Sequence, residues 1–122
     1  MIQVQEWPGL CRLLIVPSEA ESASVQLDIF NNDEMGKSYK EIYKTDALLS
    51  SLWVGKEERR AGLGLMLMKA AELYALMVGC NTIALEYNNR ETPKWVRQWY
   101  ERLGYEEKVF GRYYSLMVKQ IE

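Results

Sequence analysis

Leu52-Trp53-Val54-Gly55-Lys56-Glu57-Glu58-Arg59-Arg60-Ala61-Gly62-Leu63-Gly64 decides the fold, because it joins two segments of different periodicity. Upstream, Ala47 to Val54 is apolar at nearly every position apart from Ser50 and Ser51, the pattern of a strand covered on both faces and central to a sheet. Downstream, Leu63, Leu67, Ala70/Ala71, Tyr74 and Val78 recur at helical spacing, and Gly79 supplies a stop. The charges between Leu63 and Cys80 are Lys69 and Glu72, three apart and on one face. The rest of the circumference is apolar, so this helix is expected to be largely buried. Thr82 to Tyr87 reads as a second buried strand, and strand, helix and strand make a right-handed βαβ unit with parallel strands.

The turn itself carries the chemistry. A glycine-rich turn feeding a helix N-terminus presents unpaired N–H groups and the positive end of the helix dipole to one point, which suits a pyrophosphate. Gly62 and Gly64 let the backbone approach a ligand with no Cβ in the way, and Arg59 and Arg60 add positive charge. The spacing is not Gly-x-Gly-x-x-Gly, since Leu67 stands three after Gly64, and the Gly-Lys-Ser/Thr end of a P-loop is missing. Glycines between a strand and a helix also serve simply to make a tight turn, and the turn alone leaves both readings open.

Working outward, the first half reads as β: Leu10 to Val16, then Ser24 to Phe30 with Val25, Leu27 and Ile29 alternating, then Ser38 to Lys44. Pro17-Ser18-Glu19 marks a turn after the first, and Asn31 to Gly36 a loop after the second. Beyond the βαβ unit a second helix is expected with Thr92 as N-cap and Pro93 at its first position. It runs through Trp95, Trp99 and Leu103 and stops at Gly104. Tyr105 to Phe110 and Tyr113 to Val118 flank Gly111-Arg112 as a closing β-hairpin. Nothing reads as a linker or repeat, so residues 1–122 are expected to form one α/β (α+β) domain, and a chain of this length can bury roughly two-thirds of its unfolded surface.

Composition narrows the chemistry. There are 15 Lys and Arg against 17 Asp and Glu, 48% apolar residues and no histidine. Without histidine, zinc hydrolase, Ser-His-Asp and Cys-His mechanisms each lose a required part, and no metal site is expected. Cys11 and Cys80 stand alone, which fits a reducing cytoplasmic compartment better than a disulfide framework. Met1 to Trp7 lacks a basic n-region, and the apolar runs are too short to span a bilayer, so neither export nor a membrane partner is expected. The mildly acidic balance and the mixed run Lys56-Glu57-Glu58-Arg59-Arg60 argue against a nucleic-acid partner.

Arg59-x-x-Gly62-x-Gly64, after Leu52-Trp53-Val54 and opening an apolar helix, resembles the acetyl-CoA-binding motif of the GNAT family of N-acetyltransferases. Ile83-Ala84-Leu85-Glu86 looks like that family's fifth strand, and Trp99-Tyr100-Glu101-Arg102-Leu103-Gly104-Tyr105 resembles its tyrosine-containing helix end. The resemblance runs from Ala47 to Val118 and implies a mixed, mostly antiparallel sheet with a central βαβ unit. It also implies an acyltransferase that carries acetyl from acetyl-CoA, as co-substrate, to a primary amine by direct attack. Backbone groups of Arg59, Arg60, Ala61, Gly62, Leu63 and Gly64 would hold the pyrophosphate, and the pantetheine arm would run beside Leu52, Trp53 and Val54 like an added strand. A backbone N–H near Val54 would stabilise the oxyanion. Tyr100 occupies the family's tyrosine position and would protonate the departing thiolate; its other reading is a core aromatic beside Trp99.

Two departures from the family pattern stand out. The place where many relatives carry an asparagine contacting CoA is Pro93 here, with Asn88 or Asn89 as substitutes, and the place of a glutamate base is Leu48. The base then falls to Asp46, Glu86, Glu41 or a water relay. The first 54 residues carry four basic and eight acidic side chains, whereas Asn88 to Glu122 carry seven and five, so an acidic acceptor side would attract a cationic amine. Family members usually wall the acceptor site with helices between the first two strands, and the seven residues between Leu10–Val16 and Ser24–Phe30 are too few. The chain reads as a minimal member with a shortened N-terminal arm. Its acceptor, a small molecule or a peptide amine, would meet a site that is open or completed by a partner subunit in a homodimer. The competing expectation is a non-catalytic acyl-CoA-binding or interaction module.

Overall fold

The computed structural model describes residues 2–17, 23–54 and 62–122. The chain runs β1 (Ile2–Trp7), β2 (Leu10–Ile15), β3 (Ala23–Phe30), α1 (Glu34–Tyr43), β4 (Ala47–Val54), α2 (Leu63–Met77), β5 (Thr82–Asn88), α3 (Lys94–Arg102), β6 (Glu106–Phe110) and β7 (Tyr114–Gln120). These strands form one seven-stranded sheet in the order β1-β2-β3-β4-β5-β7-β6. Every neighbouring pair is antiparallel except β4 and β5, which are parallel and bracket α2. The expected architecture, a mostly antiparallel sheet around a central βαβ unit with a closing hairpin, is therefore the observed one.

Alternation along the strands sorts the core into two layers. Leu27, Leu49, Ile83, Leu85 and Met117 face α2, whose Leu67, Met68, Ala71 and Ala75 are buried against them, with Trp99, Tyr100 and Leu103 of α3 completing that layer. On the other face Phe30, Leu48 and Ala84 pack under Tyr39 and Tyr43 of α1. The two tyrosine rings lie 5.3 and 5.7 Å from Phe30. Covering β4 on both faces explains its continuous apolar run.

Three expectations need correction. Ser38 to Lys44 is helix rather than strand, and most of the expected Asn31–Gly36 loop is its start. Asp33 caps α1, its carboxylate accepting the Gly36 N–H at 2.8 Å, while Tyr39 and Tyr43, four apart, dock on Phe30. The chain also begins with a strand not anticipated: β1 pairs with β2 through a turn at Pro8-Gly9, so Leu10–Ile15 is the second strand. In the third case, α2 is only half covered. Met66, Leu73, Met77 and Val78 are 49–72% exposed, because only the stripe of Leu67, Met68, Ala71 and Ala75 faces the sheet while other large apolar residues point outward. A smaller shift falls at α3, where Pro93 rather than Thr92 is the N-cap.

Glu72 is the exception on α2. Tyr105, which is fully buried, donates its hydroxyl to Glu72 Oε2 at 2.9 Å, and Lys119 Nζ reaches Oε1 at 2.8 Å. A charged, hydrogen-bonded bridge thus ties α2 to β7 and to Tyr105, three residues past the end of α3. Arg97 on α3 and Tyr87 on β5 share Glu107 of β6, at 3.3 and 2.6 Å, which fixes α3 against the sheet.

Candidate active site

The parallel ladder between β4 and β5 runs Ala47↔Ile83, Leu48↔Ala84, Leu49↔Leu85 and stops there, although both strands continue. The reason lies on the other side of β4. Against β3, Trp53 pairs with Ser24 and Ser50 with Gln26, so β4 spends three residues where β3 spends two. One extra residue is a bulge, which bends its strand and ends regular pairing with the next one. The two strands part towards their C-terminal ends, leaving backbone groups of β4 without a β5 partner.

A cleft of about 370 Å³ opens beside that gap, lined by Leu52 and Trp53 of β4, Gly62, Gly64 and Leu65 at the head of α2, and residues of α3. The α3 contribution is Pro93, Trp95, Val96, Trp99 and Tyr100, which the i, i+4 spacing of Trp95/Trp99 and Val96/Tyr100 brings to one side. Apart from Tyr100, these α3 residues were not anticipated as site residues; that same spacing was the available signal. Leu63 goes the other way and packs into the core layer under α2.

Gly62 is the N-cap of α2 with φ +74°, in the left-handed region that favours glycine, and no side chain caps this end. Among the described residues, a Cβ placed on Gly62 would meet no atom within 4 Å. The first-turn N–H groups lack intrahelical partners and have the dipole behind them, which fits a phosphate-bearing ligand. Arg59, Arg60 and Ala61, expected in the same cradle, lie outside the described residues.

Tyr100 lines the large cleft and also a small, partly open pocket of about 20 Å³ lined by Leu49, Ser50, Leu52, Met68, Leu85 and Glu86, room for about one water. Burial pushes its phenol pKa up, and among the described residues its hydroxyl has no hydrogen-bond partner. The side chain is thus a protonated donor held at the junction of the two spaces. Of the acids considered as bases, Glu86 alone lines the small cavity; it is exposed, and alternation puts it on the α1 face of β5 with Ala84. Asp46 sits at the opposite end of β5, accepting the N–H groups of Asn81 and Thr82 at 2.8 and 3.3 Å, and Glu41 is exposed on α1. Asn88 and Asn89 are both engaged elsewhere: Asn88 Oδ1 accepts the N–H groups of Arg90 and Glu91, and the Asn89 side chain bonds Gly111 and Ser115.

A parallel strand pair opened by a bulge, beside the bare head of a glycine-started helix, is the architecture of an acyl-CoA-handling transferase. The chain belongs to the GNAT family: the family model described as acetyltransferase (GNAT) domain matches residues 23–107. It is accordingly an acyltransferase enzyme of the N-acyltransferase kind. Solved structures share the fold at low identity. The ribosomal-protein-S18-alanine N-acetyltransferase of Escherichia coli is 19% identical with a TM-score of 0.66, over 96% of this chain and 72% of that one. An acetyltransferase from Bacillus cereus is 20% identical with a TM-score of 0.62, covering 89% of this chain and 71% of its own. The PaiA N-acetyltransferase of Thermoplasma acidophilum, solved with coenzyme A, is 16% identical with a TM-score of 0.66, over 89% of this chain and 59% of that one. No curated protein matches the sequence.

Proposed function

We propose that the chain, acting as one domain over residues 1–122, transfers an acetyl group from acetyl-CoA to a primary amine by direct attack. The observation that carries this reading is the parting of β4 and β5 beside the head of α2, with Tyr100 lining both the cleft and the small cavity. The first-turn N–H groups after Gly62, with Arg59, Arg60 and Ala61, hold the pyrophosphate. The pantetheine arm lies along Leu52 to Val54, using backbone groups that β5 leaves unpaired. A relative solved with coenzyme A supports the choice of ligand.

In the transfer, the amine lone pair attacks the thioester carbonyl carbon, and an N–H near Val54 receives the developing oxyanion. Collapse breaks the C–S bond, Tyr100 gives its proton to the sulfur, and the nitrogen loses one proton to Glu86, directly or through one water in the small cavity. The products are an amide and the CoA thiol. Each proton thus has a donor or an acceptor at the place where it moves.

The amine is a small molecule or a peptide terminus or side chain. Membrane and nucleic-acid partners do not enter the reading, and among the described residues no helix is long and apolar enough to cross a membrane. Free thiols at Cys11 and Cys80 are compatible with the cytoplasm. A second copy of the chain would find apolar surface on the outer side of α2.

Thiol release measured across a panel of amines, peptides and polyamines tests the reading. Release should require both acetyl-CoA and an amine, and Tyr100→Phe should slow it by about a hundredfold while leaving acetyl-CoA binding in place. Binding with no turnover on any acceptor would instead favour a non-catalytic acyl-CoA module.

A further inference from the structure

At the C-terminal end of β5 two arginines converge on one aromatic ring. The guanidinium carbon of Arg90 lies 4.9 Å from the centroid of Tyr113, and that of Arg112 lies 5.3 Å from it. Neither has a carboxylate partner among the described residues, and both arginines and the ring they share are exposed. Both arginines leave a pinned backbone. Asn88 Oδ1 accepts the Arg90 N–H at 2.9 Å, the Asn89 N–H donates to the Tyr113 carbonyl at 2.8 Å, and the Asn89 side chain holds Gly111 and Ser115. Two like charges on one ring repel each other, and an anion bound between them relieves that repulsion while satisfying guanidinium donors.

The sheet places this pair at the mouth of the gap. Tyr114 pairs with Asn88, so the β6–β7 turn carrying Arg112 and Tyr113 sits at the end where β4 and β5 have parted. Glu86 shares a face of β5 with Asn88, two residues and roughly 7 Å further in. A carboxylate at the small cavity is therefore followed outward by two guanidinium groups that have no carboxylate partner among the described residues.

We propose that Arg90, Tyr113 and Arg112 form an anion clamp for the acceptor, so that the substrate class is a primary amine bearing a carboxylate or phosphate. The assignment rests on the reading that the amine is acetylated beside Glu86. Coenzyme A carries phosphates of its own, and the experiment separates the two sources.

Matched probes are ethanolamine against O-phosphoethanolamine, and 1,5-diaminopentane against lysine. They are assayed for thiol release with wild type and the double variant Arg90→Gln, Arg112→Gln. In parallel, the side-chain Nε–H signals of Arg90 and Arg112 are followed by NMR with each probe and with coenzyme A and dephospho-CoA. The anionic member of each pair should be preferred by about tenfold or more in kcat/KM, and the preference should collapse in the variant. Both arginine signals should move saturably with O-phosphoethanolamine and stay in place with ethanolamine. Equal use of both members, or signals that do not respond, overturns the clamp. Signals that respond to coenzyme A but not to dephospho-CoA also overturn it, by assigning the arginines to the cofactor. If the wild type acetylates none of the probes while the signals still discriminate, the clamp stands and the transfer reading is what fails.

Discussion

At the scale of the residue, Tyr100 and Glu72 illustrate what burial does to polar groups. Burial favours the neutral phenol of Tyr100, so its pKa lies above the ordinary 10.0 and it remains a proton donor throughout the neutral range. Loss of the acid is thereby moved to higher pH than for a free phenol, and a kcat profile for the wild type should show no Tyr100-dependent fall between about pH 7 and 9. Glu72 has the opposite task of holding charge inside, and it succeeds because Tyr105 and Lys119 both donate to it. Glu72→Ala leaves the Tyr105 hydroxyl buried and unpaired, and should cost about 2–3 kcal/mol in urea unfolding. Tyr105→Phe removes donor and need together on the tyrosine side and should cost less. Tyr100 is singled out in the sequence only by the resemblance of Trp99 to Tyr105 to the family's helix end; its position alone also reads as a core aromatic beside Trp99. Glu86 was legible only as one acid among several, because what distinguishes it from Asp46 is which end of β5 each occupies, a tertiary property.

Elements were readable where burial imposes a period and unreadable where it does not. β4, α2 and β5 announce themselves because each buries a face or both faces, and the closing hairpin because Gly111-Arg112 marks its turn; β6 itself is exposed at four of its five residues. β1 escaped because it is an edge strand with five of its six residues exposed, so no alternation marks it. α1 escaped because Gly36 and the Asn/Asp-rich start mimic a loop, while Tyr39, Ile42 and Tyr43 favour strand in isolation; docking on Phe30 overrides that preference. Gly36 is required by packing rather than by its backbone angles. A Cβ there would sit 2.1 Å from the Asn31 carbonyl oxygen. Gly36→Ala should therefore destabilise the fold by about 1–3 kcal/mol, even though alanine is the better helix former. Urea unfolding of the variant checks this, and a neutral or stabilising result would mean that the α1 entry turn is not held as described. The bulge in β4 that opens the cleft had no sequence signature either, since it is visible only as a mismatch of register with β3.

For the molecule as a whole, the helices divide the work: α1 closes one face, and α2 with α3 shape the cofactor side of the other. Among the described residues, no helix joins β1 to β2 or β2 to β3; the helix on the far face comes between β3 and β4 instead. Several buried groups titrate late. Cys80 is pushed from 9.0 up to about 11, chiefly by burial, and Tyr43, Tyr87, Tyr100 and Tyr105 are all raised, again chiefly by burial. For a group whose folded pKa is raised, the folded state binds the extra proton between the two values. Stability is then whole below the unfolded value and is lost as pH climbs through the folded one. The urea midpoint should consequently hold steady at neutral pH and fall from about pH 9 upward, and a flat midpoint to about pH 11 would contradict this core. The central claim is that the opened β4–β5 pair and the head of α2 together bind acetyl-CoA. Titration calorimetry of acetyl-CoA into the wild type and Gly62→Glu tests it most directly, since the variant puts a carboxylate at the helix N-terminus and strains a backbone held at φ +74°. Saturable one-to-one binding by the wild type, abolished in a variant that still shows the wild-type far-UV spectrum, is the predicted result. No binding by the wild type, or equal binding by a folded variant, would contradict the account.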